Sequence, residues 1–353
     1  MASQELTELR ASIDSILDEF TKARSRALTD IGSELQPVAS AMRDFITDGG
    51  KRFRPIFAFL GYLGTGASPR HEVMRACTAL ELVHVCALIH DDVMDGSDTR
   101  RNKPAIHKLF QSLHDDQSYK GDSERFGLAS AILLGDLALV WADRLLVESG
   151  ISREEFISAQ DVFSDMRDEL MAGQYLDVLE GALATTSVER SLKVARFKSG
   201  KYSIERPLHF GAALAGKPEF NESYSRFGLP LGEAFQLRDD VLGVFGDPKV
   251  TGKPAGDDIR EGKRTVLIAV TMENANQSQR NTMTEALGNS LLAESDVAQV
   301  QEIIIKTGAL DEVEKLITIL TRESISALRQ SSIDEKIRAV LEEMSVIATQ
   351  RSV

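Results

Sequence analysis

Apolar residues recur every three or four positions along most of the chain, which is the spacing of one helix face. Residues 4–30 show the pattern clearly, at Leu6, Leu9, Ile13, Ile16, Leu17 and Phe20. A second helix is predicted from Pro37 to Ile46, before Gly49-Gly50, where a left-handed cap can form. No segment alternates between apolar and polar residues over the length of a strand. The pattern therefore predicts an all-α protein.

Capping signals divide the rest of the chain into further helices. Ser68-Pro69 is a favourable start for a helix that continues without Gly or Pro to Gly96. Capping boxes are predicted at Ser152 with Glu155, at Thr186 with Glu189 and at Ser332 with Glu335. Residues 265–353 show only helical periodicity, with a break at Gly308, so we expect these C-terminal helices to be structural.

The composition limits the possible partners and the compartment. A hydrophobic fraction of 42% provides ample material for a core. The net charge of −13 argues against nucleic acid or an anionic membrane as the main partner, because either would favour a basic face. Cys77 and Cys86 lie on one predicted helix, roughly 13 Å apart, which is beyond disulfide reach. Free thiols, and charges that interrupt every apolar run near the N-terminus, predict a cytoplasmic protein.

The stretch from Phe126 to Ala142 is the one that most resembles a membrane span. Asp136 interrupts it, and it falls short of the ~20 apolar residues that a span requires. An apolar helix of this kind is more often buried in a core or between subunits. We therefore expect no stable membrane insertion.

Candidate chemistry is concentrated in the sequence ELVHVCALIHDDVMDGSDTRR, at residues 81–101. Asp91 and Asp95 are four residues apart, so on a helix their carboxylates share one face about 6 Å apart. Two carboxylates this close repel each other unless they share a cation. The residues that precede Asp91 on this face are Ala87, His84 and Leu80. The face therefore combines an apolar wall with an acidic rim.

A second acidic helix end and several basic blocks accompany the first. The second is the sequence FQLRDD at residues 235–240. The basic blocks are Arg100 with Arg101, GGKRFRP at residues 49–55 and FKSGKYS at residues 197–203. Carboxylates suit a hard divalent ion, and the cations suit anionic oxygen, so the sequence predicts a phosphate ligand held partly through Mg²⁺. A single acidic motif would more often be a solvated helix end, and the second copy is what favours a site.

Together these blocks resemble the trans-isoprenyl diphosphate synthases, which are all-helical enzymes that join isopentenyl diphosphate to an allylic diphosphate. The resemblance covers roughly residues 49–263, with the blocks in the order and spacing of that family. It implies one isoprenoid synthase domain over residues 1–353, built as a large helical bundle with a central cavity. It also implies a homodimer in which the helix at 126–142 lies at the subunit interface.

The resemblance implies the roles of individual residues. About three magnesium ions would bind to Asp91, Asp95 and Asp239, with Asp92 and Asp240 completing the catalytic acids. Isopentenyl diphosphate would be held by Lys51, Arg54 and His84. The dimethylallyl, geranyl or farnesyl diphosphate would be held by Lys198, Ser199, Lys253 and Lys263. Further candidates near the substrates or the metal are Arg100, Arg101, Gln236, Gln174 and Asp177.

Two positions depart from the usual motifs of this family. Gly243 replaces the last aspartate of the second DDxxD motif, so residue 243 cannot bind metal. Ser199 replaces the usual threonine and keeps its hydroxyl. The segment at 245–265, which contains Lys253 and Lys263, is rich in Gly and Pro, and we expect it to form a mobile lid.

The product is predicted from the residues on the acidic helix that precede Asp91. Members of the family that make farnesyl diphosphate often carry aromatic residues at the positions of Cys86 and Ala87. Both residues are small here, so the floor of the product tunnel is expected near Val83 and Leu80. This favours geranylgeranyl diphosphate, while farnesyl diphosphate or longer C25–C35 products stay open.

Three other functions are less consistent with the motifs. A class I terpene cyclase would need a different second metal motif and no isopentenyl diphosphate clamp. A catalytically idle regulatory subunit should have lost acids or clamp residues, yet nearly all are present. A helical bundle with charged helix ends and no site would not explain so many matching blocks.

Overall fold

Helices form nearly every regular element of the chain, which confirms the predicted all-α class. The computed structural model describes residues 3–247 and 255–350. The chain divides into two compact units, the first formed by residues 1–161 and 210–217 and the second by residues 162–209 and 218–353. The assignment of residues 1–353 to one domain stays a prediction.

The first unit is built from helices and one short hairpin. Its elements are α1 (Gln4–Thr29), α2 (Gln36–Thr47), α3 (Phe53–Leu63), α4 (His71–Asp95), β1 (Thr99–Arg100), β2 (Lys103–Pro104), α5 (Ile106–Asp116), α6 (Ser123–Val147) and the start of α7 (Arg153–Leu183). Each strand of this hairpin has only two residues, which is too short to give a visible alternation of apolar and polar residues in the sequence. Its turn consists of Arg101 and Asn102, both in the left-handed region with φ 53° and 60°.

Helix α4 is the centre of the first unit, and α1, α3 and α6 pack around it. Leu80, Leu82 and Val83 are fully buried along its length. Within residues 3–247 and 255–350, two helices, α4 and α6, are long and apolar enough to cross a membrane by length and composition. The apolar window of α4 is 72% buried, as expected for a core helix, whereas that of α6 is only 39% buried. The apolar character of α4 is therefore explained by its packing within this unit.

The second unit contains the remaining helices. They are the rest of α7, α8 (Val188–Val194), a π-helical stretch (Ala195–Glu205), α9 (Arg206–Leu214), α10 (Asn221–Phe245), α11 (Asp257–Arg260), α12 (Val266–Asn274), α13 (Gln277–Ala286), α14 (Glu294–Lys306), α15 (Ala309–Arg329) and α16 (Glu335–Thr349). The last residues of α9, from Phe210, belong to the first unit. Single turns of 3₁₀ helix occur at Ser33–Leu35 and Pro218–Phe220.

Helix α10 is the centre of the second unit and packs against α15 and the π-helical stretch. Its buried residues, including Leu237 and Val241, join an apolar cluster with Ile259 of α11 and with residues of α12 to α15. Gly200 and Gly232 allow the π-helical stretch to approach α10 closely, because a Cβ on Gly232 would overlap the Gly200 backbone. This close packing holds the stretch that carries the FKSGKYS block.

The predicted helix starts were partly wrong. The capping box at Ser152 and Glu155 is present, with both reciprocal hydrogen bonds at 3.2 and 2.7 Å. Helix α4 begins at His71 rather than at Ser68-Pro69, and Arg70 before it pairs with Glu155 instead of continuing the helix. The cap of α8 is Ser187 rather than Thr186, and that of α16 is Asp334 rather than Ser332. In both cases the side chain nearest to the first-turn N–H groups forms the cap.

Candidate functional site

The three acids at the end of α4 have different environments. Asp92 is buried, and its carboxylate accepts from Arg100 Nε at 2.9 and 3.2 Å and also from Arg100 Nη2. Asp91 and Asp95 are half-buried. The Asp92–Arg100 ion pair attaches β1 of the hairpin to α4. Asp92 therefore forms an ion pair inside the protein, which the sequence-based assignment of Asp92 as a catalytic acid did not predict.

The GGKRFRP block forms the loop between α2 and α3. Lys51 is exposed, Arg54 is half-buried in the first turn of α3, and Arg52 between them is buried. The Arg52 guanidinium donates to Glu81 Oε1 at 2.7 Å, and Glu81 lies on α4. The loop thus carries one exposed, one half-buried and one fully buried cation.

His84 lies on α4 within the field of several guanidinium groups. Burial lowers its pKa well below the usual value, and the positive charges of Arg54, Arg101, Arg100 and Arg52 lower it further. The imidazole is therefore neutral at physiological pH. This part of the first unit, which we call the cationic cluster (Arg52, Arg54, Arg100 and Arg101 around His84), suits an anionic ligand.

The predicted chain-length residues lie at several positions around α4. Leu80 and Val83 are fully buried, and Ala87 is half-buried at the spacing of His84 and Asp91. Cys86 instead faces α6, because its Sγ lies 3.7 Å from Nδ1 of His90, whose Nε2 lies 3.1 Å from the Ile132 carbonyl. Ala87 is therefore the small residue that shares the face of Asp91, and the role of Cys86 in product length stays a prediction.

In the second unit, the predicted lysine of the FKSGKYS block has an acidic partner. Lys198 Nζ donates to Asp177 Oδ2 at 2.6 Å. Asp177 belongs to the GQYLD segment of α7, whose Gly173 lets the backbone of Lys198 approach, since a Cβ there would lie 2.7 Å from Lys198 Cα. Gln174, one turn before Asp177, shares this segment. The structure thus joins two motifs that sequence spacing left separate.

The second acidic motif lies at the end of α10. Gln236 donates to Asp240 Oδ1 at 2.7 Å. Burial raises the pKa of Asp240 to about 8, and the charges of Asp258, Asp239 and Asp177 add to the effect. Asp240 therefore has one oxygen bonded to Gln236, and burial disfavours its charged form.

Gly243, where the last aspartate of this motif is missing, is contacted by another acid. A Cβ on Gly243 would overlap the carboxylate of Asp258 on α11, whose Oδ1 would be 3.0 Å away. The Asp258 carboxylate lies 3.5 Å from Lys263 Nζ, and Lys263 also pairs with Glu261 at 2.7 Å. Glycine at 243 thus gives Asp258 access to the end of α10.

The predicted lid is only partly described. Lys253 lies outside the described residues, so its predicted role stays a prediction. The described part is packed, because Ile259 of α11 is fully buried and Gly262 approaches Gly288 closely. Lys263 is placed by this packing beside the end of α10.

Sequence reasoning missed two buried arginines. Arg52 was grouped with the other cations of its block, and Arg238 was treated only as a neighbour of Asp239. Arg238 donates to both oxygens of Glu314 on α15, at 2.6 and 2.7 Å, and to the Thr349 carbonyl at 2.8 Å. No local signal identifies either role, because the acidic partners Asp14, Glu81 and Glu314 are distant in sequence.

The described residues contain no group of three His, Cys, Asp or Glu side chains placed to hold a metal ion by themselves. Asp91 and Asp95 share a helix face with spacing that suits one hard cation. The metal role of Asp91, Asp95 and Asp239 stays a prediction.

Comparisons with known proteins agree with this arrangement. The sequence model of the polyprenyl synthetase family matches residues 36–304. A geranylfarnesyl diphosphate synthase from Aeropyrum pernix is 33% identical over 78% of this chain and 82% of its own length. A geranylgeranyl diphosphate synthase from Sulfolobus acidocaldarius is 31% identical over 86% and 87% of the two chains.

A solved structure supports the same family. It is a geranylgeranyl pyrophosphate synthase from Corynebacterium glutamicum, complexed with isoprenyl diphosphate and magnesium. It is 39% identical, covers 98% of this chain and 99% of its own, and has a TM-score of 0.95. The chain therefore belongs to the polyprenyl synthetase family of trans-prenyltransferases.

Proposed function

We propose that the protein elongates an allylic diphosphate with isopentenyl diphosphate and that its main product is geranylgeranyl diphosphate. The observation that carries the proposal is the cationic cluster next to the carboxylates of α4 in a chain of net charge −13. In an acidic protein, Arg54 and Arg101 beside a neutral histidine form a local site for anionic oxygen. Two relatives and the corynebacterial structure are named for this chemistry.

We assign isopentenyl diphosphate to Lys51, Arg54 and His84, with Arg101 beside them. A neutral His84 can donate one hydrogen bond without adding charge. Arg54 lies in the first turn of α3, where the positive end of the helix dipole also favours an anion. These groups would orient the double bond of isopentenyl diphosphate toward its acceptor.

We assign the allylic diphosphate to Lys198, Ser199, Gln236 and Lys263, with Lys253 as a further candidate. The lysine charges and the polar groups of Ser199 and Gln236 would stabilise the diphosphate as the allylic C–O bond breaks and the electron pair leaves with it. Carbon 1 of the allyl group then bonds to carbon 4 of isopentenyl diphosphate, and a proton is lost to the released diphosphate. No nucleophilic side chain is required for these steps.

Magnesium fits the acids of α4. Asp91 and Asp95 offer hard oxygen ligands from one helix face, and Mg²⁺ usually takes only one or two carboxylates, with water and phosphate oxygens completing its shell. Asp239 is the corresponding candidate on α10, and about three ions are proposed in total. When bound, magnesium would neutralise the diphosphate and make it a better leaving group.

The product length is argued from α4. Ala87 leaves the Asp91 face open where a larger side chain would close it, and the next residues inward are Leu80 and Val83. This supports a chain longer than farnesyl diphosphate. Because one relative is named for a C25 product, a geranylfarnesyl product is the second candidate.

We also propose that the protein is a homodimer that associates through α6. Leu133, Val140 and Val147 are seven residues apart on this helix, and 66%, 61% and 67% of their surfaces are exposed. Such an apolar stripe favours burial against another copy. Membrane insertion fits less well, because Asp136 on the same helix has 63% of its side chain exposed. Replacing Leu133 and Val140 by Asp should convert the dimer into a monomer in sedimentation analysis, and an unchanged mass would refute this interface.

The function is tested by incubating the purified protein with Mg²⁺, isopentenyl diphosphate and either the C5, C10 or C15 allylic diphosphate. We expect geranylgeranyl diphosphate as the dominant product by mass spectrometry. A dominant C15 or C25 product would preserve the reaction and refute the chain length. No product from any primer, with the protein folded, would refute the function and favour an idle subunit. Conversion of geranylgeranyl diphosphate into a hydrocarbon would indicate a terpene cyclase.

A further inference from the structure

The Arg52 side chain is buried, whereas its neighbour Lys51 is exposed and Arg54 is half-buried. Only 1% of this side chain is exposed. Its guanidinium donates in three directions, to Asp14 Oδ1 on α1 at 2.8 Å, to the Ile46 carbonyl on α2 at 2.8 Å and to Glu81 Oε1 on α4 at 2.7 Å. One residue therefore links the loop to three helices of the first unit.

The electrostatics of this buried group are balanced by its acids. Burial alone would lower the pKa of Arg52, but the ion pairs with Glu81 and Asp14 raise it overall. The Glu81 side chain is 3% exposed and that of Asp14 is 40% exposed. Removing Glu81 would thus leave a largely buried cation short of charge compensation, whereas removing Asp14 affects a site that water reaches.

The backbone conformation of the loop is matched to the position of the Arg52 guanidinium. Arg52 has φ 52°, in the left-handed region that disfavours residues with a Cβ. Gly50, with φ 128°, passes over the guanidinium, since a Cβ there would lie 3.3 Å from Arg52 Nη1 and 3.5 Å from Arg101 Nη2. Such a conformation persists only where surrounding contacts determine it, and the three hydrogen bonds of Arg52 provide those contacts.

We propose that Arg52 is a positioning residue, which fixes the directions of Lys51 and Arg54 without itself touching a diphosphate. The inference rests on the proposed function, in which these two residues hold isopentenyl diphosphate. Glu81 is on the helix that carries Asp91, so the same ion pair also fixes the loop relative to the acids of α4. The basic block therefore contains two ligand-binding cations and one cation that orders them.

The test uses Arg52→Met, which removes the charge and keeps the length of the side chain, and Glu81→Gln. Separate KM values are measured for isopentenyl diphosphate and for the allylic diphosphate. We expect Arg52→Met to raise the KM for isopentenyl diphosphate by about tenfold or more, and the KM for the allylic diphosphate by less than about twofold. Glu81→Gln should also raise the two KM values, each by a smaller factor than Arg52→Met does. The matched control is Arg43→Met, an exposed arginine on α2, which should leave both KM values unchanged.

A second variant separates positioning from stability. Arg52→Met combined with Glu81→Leu removes both buried charges, so it should recover thermal stability relative to Arg52→Met alone. Because the loop is still unanchored, the KM for isopentenyl diphosphate should stay high. A purely structural role would instead reduce the active fraction with both KM values unchanged, and that result would overturn the proposal. If Arg52→Met does not fold, Glu81→Gln and the double variant decide between the two results.

The proposed function has its own controls in this experiment. If the wild-type protein makes no prenyl diphosphate, the function fails and the KM comparison is not reached. If Lys51→Ala leaves the KM for isopentenyl diphosphate unchanged while the wild type is active, the clamp assignment fails. The positioning role alone is rejected only if Lys51→Ala raises the KM for isopentenyl diphosphate and Arg52→Met leaves that KM unchanged.

Discussion

The Asp92–Arg100 ion pair predicts that the three acids of one motif separate into structural and functional groups. Asp92→Asn removes the charge but keeps the size of the side chain. The Asp92 carboxylate is 1% exposed and the Arg100 side chain 17% exposed, so the pair is nearly buried. Without this ion pair, the Arg100 cation lies beside a neutral amide, and the side-chain link between the hairpin and α4 is lost.

The magnitude follows from the contacts. Breaking a buried ion pair costs roughly 3–5 kcal/mol when one partner is deleted, and the amide of Asn keeps one acceptor oxygen, so we expect about 2–3 kcal/mol. For units of this size that corresponds to a fall in Tm of about 5–10 °C. Asp91→Asn and Asp95→Asn remove a charge from the same helix end without breaking this pair. They should cost less stability than Asp92→Asn, because each also relieves an i,i+4 repulsion.

The assay combines differential scanning fluorimetry with turnover measured on the folded fraction. Asp91→Asn and Asp95→Asn should lose most turnover with a smaller fall in Tm than Asp92→Asn, while Asp92→Asn should keep measurable turnover. Arg100→Gln should reproduce the loss of Tm from the other side of the pair. Asp92→Asn with an unchanged Tm and no turnover would refute the reasoning and place Asp92 in contact with the diphosphate or its metal.

Three further changes are predicted. Ala87→Phe should shorten the main product toward farnesyl diphosphate in product analysis, while Ala87→Ser should not, and an unchanged distribution after Ala87→Phe would place the tunnel floor elsewhere. Gly243→Ala should displace the Asp258 carboxylate, which can rotate, so we expect a loss below about 1 kcal/mol in urea denaturation with a clear fall in turnover, and unchanged turnover would exclude a role for this contact. Burial lowers the pKa of His84, His107 and His209 in the folded protein. The unfolded chain therefore binds more protons below about pH 6.5, and the free energy of unfolding should fall by up to about 1.4 kcal/mol per pH unit for each histidine. His107→Gln should reduce this slope between pH 7.5 and 5.5, and a slope equal to that of the wild type would contradict the assignment.

The sequence was sufficient to predict the features that depend only on residues close together in the chain. Helical periodicity predicted α1 over residues 4–30, where the structure has Gln4–Thr29, and the glycine break at 308 precedes α15. The reciprocal cap of Ser152 with Glu155 was also readable, because both partners lie within four residues. The order and spacing of the motifs were sufficient for the family, since each motif is a short continuous segment.

The tertiary structure decided what each motif residue does. Asp91 and Asp92 are adjacent and chemically identical in sequence, yet Asp91 is half-buried while Asp92 is buried and pairs with Arg100. Arg52 became a buried link because its partners at positions 14, 46 and 81 converge only in the folded chain. Asp258 reaches the end of α10 because Gly243 leaves space for it. Local periodicity is set by each segment alone, whereas the state of a charged side chain depends on which distant groups surround it, and those are fixed only by packing.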